Sequence, residues 1–584
     1  MHVNLRSFID LLQKEGEICT ISAEVDPYLE IAEIHRRVIA EGGKALLFTN
    51  VKGSKFPVIT NLFGNRKRID LAFGNKPEQF VRRVVEFVEN AIPPKPSILW
   101  KNRDLLLQSL RIGTRQSHFG PVIESKQSPA DLTSLPLLQL WPDDGGHFIT
   151  LPLVYTKSPV DCKPNLGMYR IQRYDRNTAG MHWQIGKGGG FHYYEAERLK
   201  KSLPVTIFLG GPPALIVSAI APLPEGVPEV LLASLIAGNK IDTVNDPADS
   251  QRQLFAEAEF AIVGEVPPFE RRPEGPFGDH YGYYSLVHDY PVFHANRIYH
   301  RSDAIYPATV VGKPRQEDFF IGDYLQELLS PLFPLVMPTV IDLWSYGETG
   351  FHSLAAAVIR NRYSREAISA GFRILGEGQL TLTKFLLLTD SACDLRNFRN
   401  LFEHILARVE WTKDFLIFGE TAFDTLDYAS GKINHGSKAI LAGLGPAIRD
   451  LPRQFSGNLP SGIARAEVFC AGCLVIDGVA YRDEPDLGKR IAESSTLDGW
   501  QIIVILDDAT AATDASRFLW STWTRFNPAT DITARSMEII NNHIVYQPPI
   551  VIDARMKPWY PAEVTADDAT IELVNTRWSK YFNQ

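Results

Sequence analysis

Residues 273–284 read PEGPFGDHYGYY. Glu274 and Asp279 lie five apart with two glycines and a proline between them, and Phe277, His280, Tyr281, Tyr283 and Tyr284 crowd the same stretch. A Gly/Pro loop can hold two carboxylates in a fixed relation. Close carboxylates perturb one another so that one tends to keep a proton, and a nearby arginine would divide them into an ionised orienter and a protonatable acid. A turn whose aspartate caps backbone amides accounts for the same residues without any chemistry.

Three further stretches carry polar groups in suggestive company. NLGMYRIQR (165–173) reads as a strand, whose alternation would put Asn165 and Arg170 on opposite faces. MHWQIGKGGGFHYY (181–194) sets His182 beside Trp183 and places Lys187 in a glycine-rich turn. Successive N–H groups in such a turn can cradle an anion, with Lys187 adding a point charge. A hairpin with an incidental histidine explains it equally well, and it lacks the G-x-G-x-x-G fingerprint of a dinucleotide fold. Glu229 follows Pro228 at the start of an expected helix, where the helix dipole favours an acid in any case. Asn, His and Glu together suit Mn²⁺ or Mg²⁺ better than zinc. CAGC (470–473) is a single C-x-x-C without the second pair a zinc ribbon needs, and GKINHGSK (431–438) fails the P-loop pattern. No G-x-S-x-G elbow or H-E-x-x-H helix occurs.

The elements that must position these groups follow from 584 residues, too many for one core. A net charge of −8 and a pI near 6.0 argue against a general nucleic-acid binder. Five cysteines, few and odd in number, point to a reducing cytoplasm. The N-terminus has no signal-peptide pattern, and no apolar run approaches the roughly 18 residues that span a bilayer. ALIVSAIAP (214–222) is expected to be a buried strand. The expected architecture is mixed α+β and multidomain. Residues 1–117 form an α/β domain, with helices over about 27–41 and 77–92, and 118–320 an antiparallel, β-rich, split-barrel-like cofactor domain. Residues 321–584 form an α/β oligomerisation domain. The last region contains an internal duplication, about 384–446 and 500–562, which places Asp390, Arg408 and Asp414 over Asp507, Arg525 and Asp531 without a gap.

In order and type, NLGMYR, MHWQ…KGG, PE…ASLIAG and PEGPFGDHYGYY resemble the UbiD family of decarboxylases, which use prenylated FMN. LRSFIDLLQKEGEI, EVDPYLEIAEI and NRKRIDLAFG resemble its opening domain, and IIVILDD…WSTWTRFNPATDI and IDARMKPWYP its final one. The resemblance implies a divalent ion, usually Mn²⁺, on Asn165, His182 and Glu229, and a K⁺ held by carbonyls near Val217–Ser218 and sharing Glu229. It implies cofactor contacts from Met168, Tyr169, Arg170, His182, Trp183, Gln184, Lys187 and Gly188, and a catalytic set of Arg170, Glu274 and Asp279, with Asp279 the proton donor. The family normally has one DD…TR…D segment; here there are two, so the lysine that closes over the cofactor phosphate is left unassigned. The implied activity is reversible, non-oxidative decarboxylation of an aromatic or α,β-unsaturated acid, releasing CO₂, in ubiquinone or menaquinone synthesis. A UbiX-type flavin prenyltransferase would supply the cofactor to a cytoplasmic homo-oligomer, dimer or hexamer. A non-catalytic assembly subunit and a different Mn-dependent flavin enzyme are the alternatives.

Overall fold

The computed structural model describes residues 2–90, 100, 102–104, 110–184, 187–223, 226–313 and 315–582. Two compact units emerge. Leu329–Ala562 forms one; the chain before it forms the other and is rejoined by the segment from Glu563 onward.

The first unit opens with α1 (Leu5–Lys14), whose Asn4 and Ser7 make a reciprocal capping box and whose Leu5, Phe8, Ile9 and Leu12 are buried. Strands β1 (Ile18–Ile21), β2 (Ala45–Phe48) and β3 (Val58–Thr60) follow, with α2 (Glu30–Ala40) crossing between the first two. Strands β1 and β2 pair in parallel, which requires such a crossover. The helix expected over about 77–92 spans Lys76–Asn90, and a further helix, Arg66–Phe73, precedes it.

Ten strands then build the sheet that carries the site: β4 (Ser125–Gln127), β5 (Phe148–Ile149), β6 (Leu153–Lys157), β7 (Pro164–Gly167), β8 (Ile171–Arg173), β9 (Thr178–Met181), β10 (Leu203–Leu209), β11 (Phe260–Val266), β12 (Arg271–Glu274) and β13 (His288–His300). Their order is β5-β8-β9-β13-β11-β10-β6-β7, with β12 and β4 also paired to β13. Every ladder in it is antiparallel. Three helices interrupt it: α3 (Gly188–Leu199), α4 (Pro213–Ala219) and α5 (Glu229–Ala237). The α4 segment is the stretch expected to be a strand. It is buried at every position, so its sequence shows no period to tell helix from strand, and Pro213 at its first turn favours the helix. Strand β14 (Tyr306–Pro307) returns to pair with β3, and α6 (Glu317–Leu329) follows.

The second unit holds two five-stranded sheets. The first comprises β15 (Val340–Ser345), β16 (Leu354–Ile359), β17 (Phe385–Thr389), β18 (Phe415–Thr421) and β19 (Gly436–Gly443), in the order β15-β16-β17-β19-β18, with α7 (Phe398–Leu406) after β17. The second comprises β20 (Ala466–Cys470), β21 (Cys473–Asp477), β22 (Ile502–Leu506), β23 (Ile532–Ile540) and β24 (His543–Asp553), in the order β20-β21-β22-β24-β23, with α8 (Ala515–Trp523) after β22. Both run antiparallel, parallel, parallel, antiparallel across their four pairings. Their central strands, FLLLT and IIVIL, are buried at every position, as parallel strands covered on both faces must be. One apolar core joins Phe385, Phe402 and Leu441 of the first sheet's region to Phe469, Val504 and Trp523 of the second's.

The segment after Ala562 re-enters the first unit. Val564 donates its N–H to Gly282 O at 3.0 Å, and α9 (Asp568–Phe582) lies on α2, where Arg577 pairs with Glu30 at 2.6 Å and Tyr581 donates to the same carboxylate.

Candidate active site

Arg170 lies between β7 and β8, outside either strand, so strand alternation does not govern its direction relative to Asn165. Its guanidinium forks onto Glu274, with Nε to Oε1 at 2.8 Å and Nη2 to Oε2 at 3.0 Å. Nη2 also donates to Ser285 Oγ at 2.8 Å, and Nη1 donates to Asp279 Oδ2. Phe277 lies under the guanidinium, 4.8 Å from ring centre to carbon. Arg170, Glu274 and Asp279 are all buried.

The loop that presents the two acids is held at nearly every amide. Gly275 N–H donates to Gln172 Oε1, Phe277 N–H to Ser285 Oγ, Gly278 N–H to Asp144 Oδ1 and Asp279 N–H to Tyr283 O. Gly282, at φ +84°, turns the chain so that its N–H reaches Asp279 O and its carbonyl accepts from Val564. The aspartate therefore keeps both carboxylate oxygens for Arg170 and for His280, whose Nδ1 lies 2.6 Å from Oδ1.

Burial alone would raise both acids. For Glu274 the Arg170 fork and His182 overcome it and bring the pKa down to about 2. For Asp279, His280 and Arg170 do the same, and it lies well below the usual carboxylate range. The guanidinium stays charged because the two carboxylates outweigh its own desolvation. Both acids are thus ionised at neutral pH in this arrangement. The aromatic wall does not by itself keep a proton on either, because charge pairing outweighs desolvation here.

His182 follows β9. Its Nδ1 sits 3.1 Å from Glu274 Oε2, its ring lies 4.4 Å from that of Tyr290, and burial and Arg170 lower its pKa, so it is neutral. Its Nε2 is buried with no hydrogen-bond partner, as are Asn165 Nδ2, Trp183 Nε1 and Ser218 Oγ. Buried polar atoms without partners are rare enough to need an explanation, and a bound group supplies one. A neutral imidazole fixed through Nδ1 by a carboxylate is the form that ligates a metal through Nε2.

KGGG (187–190), expected to be a glycine-rich turn, opens α3 instead, with Lys187 as its N-cap. Glycine is a poor helix former, and the reason for three in a row is close approach. A Cβ on Gly188 would lie 1.9 Å from Asn165 Oδ1, one on Gly189 2.6 Å from Trp183 Nε1, and one on Gly190 2.8 Å from Gln184 O. Gly189 N–H donates to the Tyr169 hydroxyl at 3.2 Å. Glu229 begins α5 and accepts from Leu166 N–H at 2.9 Å, and burial raises its pKa. Met168, Gln184 and Lys187 are half-buried beside these groups in the chain. Arg170, Glu274, Asp279 and His182 form one hydrogen-bonded cluster. Asn165, Tyr169, Trp183, Gly188 and Gly189 pack together around the start of α3. Among the described residues no three His, Cys, Asp or Glu side chains form a metal cluster, and an Asn/His/Glu set contains only two of those types.

Sequence reasoning missed Asp144, Ser285 and Gln172, which brace the loop. Asp144 accepts from Leu140, Trp141 and Gly278 N–H groups and is pushed up to about 7 by burial. Its Gly-rich neighbourhood in WPDDGG was the one available signal.

Known proteins share this organisation along the chain. Residues 114–314 match the Rift-related domain of 3-octaprenyl-4-hydroxybenzoate carboxy-lyase, 9–88 its N-terminal domain and 319–443 its C-terminal domain. The chain belongs to the UbiD family. UbiD proteins are carboxy-lyases, and this chain is an enzyme of that class. It is 51% identical over 581 residues to a protein of Chlamydia trachomatis, covering 99% of this chain and 100% of the other. It is 50% identical over 579 residues to a 4-hydroxybenzoate decarboxylase subunit of Chlamydia pneumoniae, covering 99% and 98%. Among solved structures it resembles a vanillic acid decarboxylase of Sedimentibacter hydroxybenzoicus, with TM-score 0.68 and 24% identity over 79% of this chain and 97% of that one. It also resembles the UbiD-class enzyme HmfF of Pelotomaculum thermopropionicum in complex with prFMN, with TM-score 0.62 and 22% identity over 76% and 95%. These two share its fold. The second five-stranded sheet lies beyond the matched C-terminal domain, which ends at 443.

Proposed function

We propose that the chain is a prenylated-FMN-dependent decarboxylase of an aromatic acid, with a hydroxybenzoate-type acid as the leading substrate class and quinone synthesis as its setting. The observation that carries this reading is the buried Arg170–Glu274–Asp279 ion set, joined through Glu274 to a neutral His182 whose Nε2 has no partner. The name of the Chlamydia pneumoniae relative supports the substrate class.

Asn165, His182 and Glu229 would hold a divalent ion, Mn²⁺ by their chemistry, and the start of α3 with Lys187 suits a phosphate. A K⁺ near Val217–Ser218 and Glu229 belongs to the same reading. When bound, prenylated FMN supplies the electron sink for the carbon that loses CO₂. Arg170 holds Glu274 and Asp279 as carboxylates and orients the acid substrate's own carboxylate. Glu274 fixes His182 in its tautomer. Asp279 gives the proton that replaces CO₂ on the same carbon. The overall change, R–COO⁻ + H⁺ → R–H + CO₂, consumes one proton, which Asp279 must first acquire because it rests ionised.

Co-expression with and without a flavin prenyltransferase, followed by absorbance spectra and decarboxylation assays on a panel of aromatic acids, tests the reading. Turnover only in the co-expressed protein is expected. A protein that gains neither a modified-flavin spectrum nor turnover refutes it.

A further inference from the structure

We propose that His280 is the route by which protons from solvent reach Asp279. The inference rests on the function proposed above, in which Asp279 protonates the carbon that lost CO₂.

Three observations lead to it. First, Asp279 is enclosed: its side chain is 12% exposed, Arg170 is 7% and Glu274 0%. One carboxylate oxygen faces Arg170, a guanidinium that cannot be a proton source at neutral pH. The other faces His280 Nδ1 at 2.6 Å, and the His280 side chain is 29% exposed. His280 thus touches Asp279 on one side and reaches toward solvent on the other. Second, His280 is anchored in that position. Its N–H donates to the same Asp279 oxygen at 2.7 Å, and its ring meets that of Tyr281 edge-on at 5.1 Å. Third, the charges of His280 and Asp279 both act on Asp318 in the first turn of α6, where burial pushes the pKa up to about 6, with His280 opposing and Asp279 reinforcing.

The step balances without any redox partner. Neutral His280 with its proton on Nδ1 gives that proton to Asp279 Oδ1 as Nε2 takes one from water, and the Nε2–H tautomer left behind returns to the Nδ1–H form by exchange with water before the next turnover. Asp279 then passes its proton to the substrate carbon whose bond to CO₂ has broken. One proton enters and one leaves per turnover. His280 acts through Asp279 and has no part in breaking the carbon–carbon bond.

The test uses the holoenzyme and an aromatic acid that the wild type decarboxylates. A positioned acid–base side chain is worth roughly a hundred- to ten-thousandfold in a step limited by proton transfer. H280Q should lower kcat by that factor with KM changed less than twofold, raise the solvent deuterium isotope effect on kcat, and recover part of the rate with added imidazole. D318N should shift the acidic limb of the kcat–pH profile while turning over at its optimum. A fully active H280Q with the wild-type isotope effect, beside a dead D279N, overturns the relay and leaves the proposed function standing. A D279N that keeps turnover overturns the proposed function instead. Side-chain ¹⁵N NMR of the protein without cofactor gives an independent readout. D279N and D318N should each lower the His280 titration midpoint, and a midpoint unmoved by both overturns the relay whatever the activity.

Discussion

Replacing Arg170 by methionine should reverse the pH dependence of stability in the first unit. In the wild type, Glu274 is held at about 2 against an ordinary 4.5. That difference of about 2.5, at about 1.4 kcal/mol for each, is about 3 kcal/mol of stability. Its sign is that of a depressed acid: fully present above pH 4.5 and lost as pH falls toward 2. Asp279 adds in the same direction. With the guanidinium gone, Glu274 stays buried without its main cationic partner, so burial raises it and it takes up a proton on folding, while Asp279 loses one of its two partners and keeps His280. A raised acid contributes stability at low pH and loses it as pH climbs past 4.5. Breaking a buried pair this way costs about 3–5 kcal/mol. Urea unfolding of the cofactor-free protein at pH 5 and pH 8 checks it. R170M should lose most at pH 8 and recover part of the loss at pH 5. Adding E274Q to R170M should restore stability at pH 8, because the uncompensated charge is removed. An R170M protein within about 1 kcal/mol of wild type at pH 8, or one equally weakened at both pH values, would refute the reasoning.

Further outcomes follow from other sites. G188A should drive a methyl into Asn165 and lower both Mn²⁺ and flavin content, measured by elemental analysis and absorbance, while leaving the helical circular dichroism intact. H182A should lower Mn²⁺ content in the same measurement, and unchanged metal would remove His182 from the ligand set. Cys470 and Cys473 face each other across a two-residue hairpin in the core, and burial pushes Cys473 far above its usual range. Both should resist a thiol reagent at pH 8 in the folded protein, while the exposed Cys162 reacts at once. V564P removes the N–H that holds Gly282 and should loosen the 279–284 loop, seen as faster amide exchange there, at a cost of about 1 kcal/mol.

How much of this was legible beforehand can be judged residue by residue. The pairing of Glu274 with Asp279 was legible because five-residue spacing in a Gly/Pro loop limits how far two acids can separate. Their protonation was not, since it depends on Arg170, which is more than a hundred positions away and reaches them only through the sheet. The start of α5 at Glu229 was marked by Pro228. The start of α3 was not: three glycines read as a turn until the side chains of Asn165 and Trp183 show why no Cβ fits. Buried ALIVSAIAP had no amphipathic period and so no secondary-structure signature. Asp318 and Ser285 carry no local pattern, because each acquires its role from a partner on another element.

The return of the chain after Ala562 has a consequence for how the protein is made. Synthesis runs from the N-terminus, and domains fold in that order as they emerge. The loop that carries Asp279 is made about midway, but Val564, which ties down Gly282, and α9, which closes on Glu30, emerge after the whole second unit. A nascent chain halted at Ala562 would hold every side chain of the ion set and still lack the strap across it. The first unit is therefore begun before the second and completed only after it, and whatever binds against that strapped loop binds to a chain whose second unit has already been synthesised.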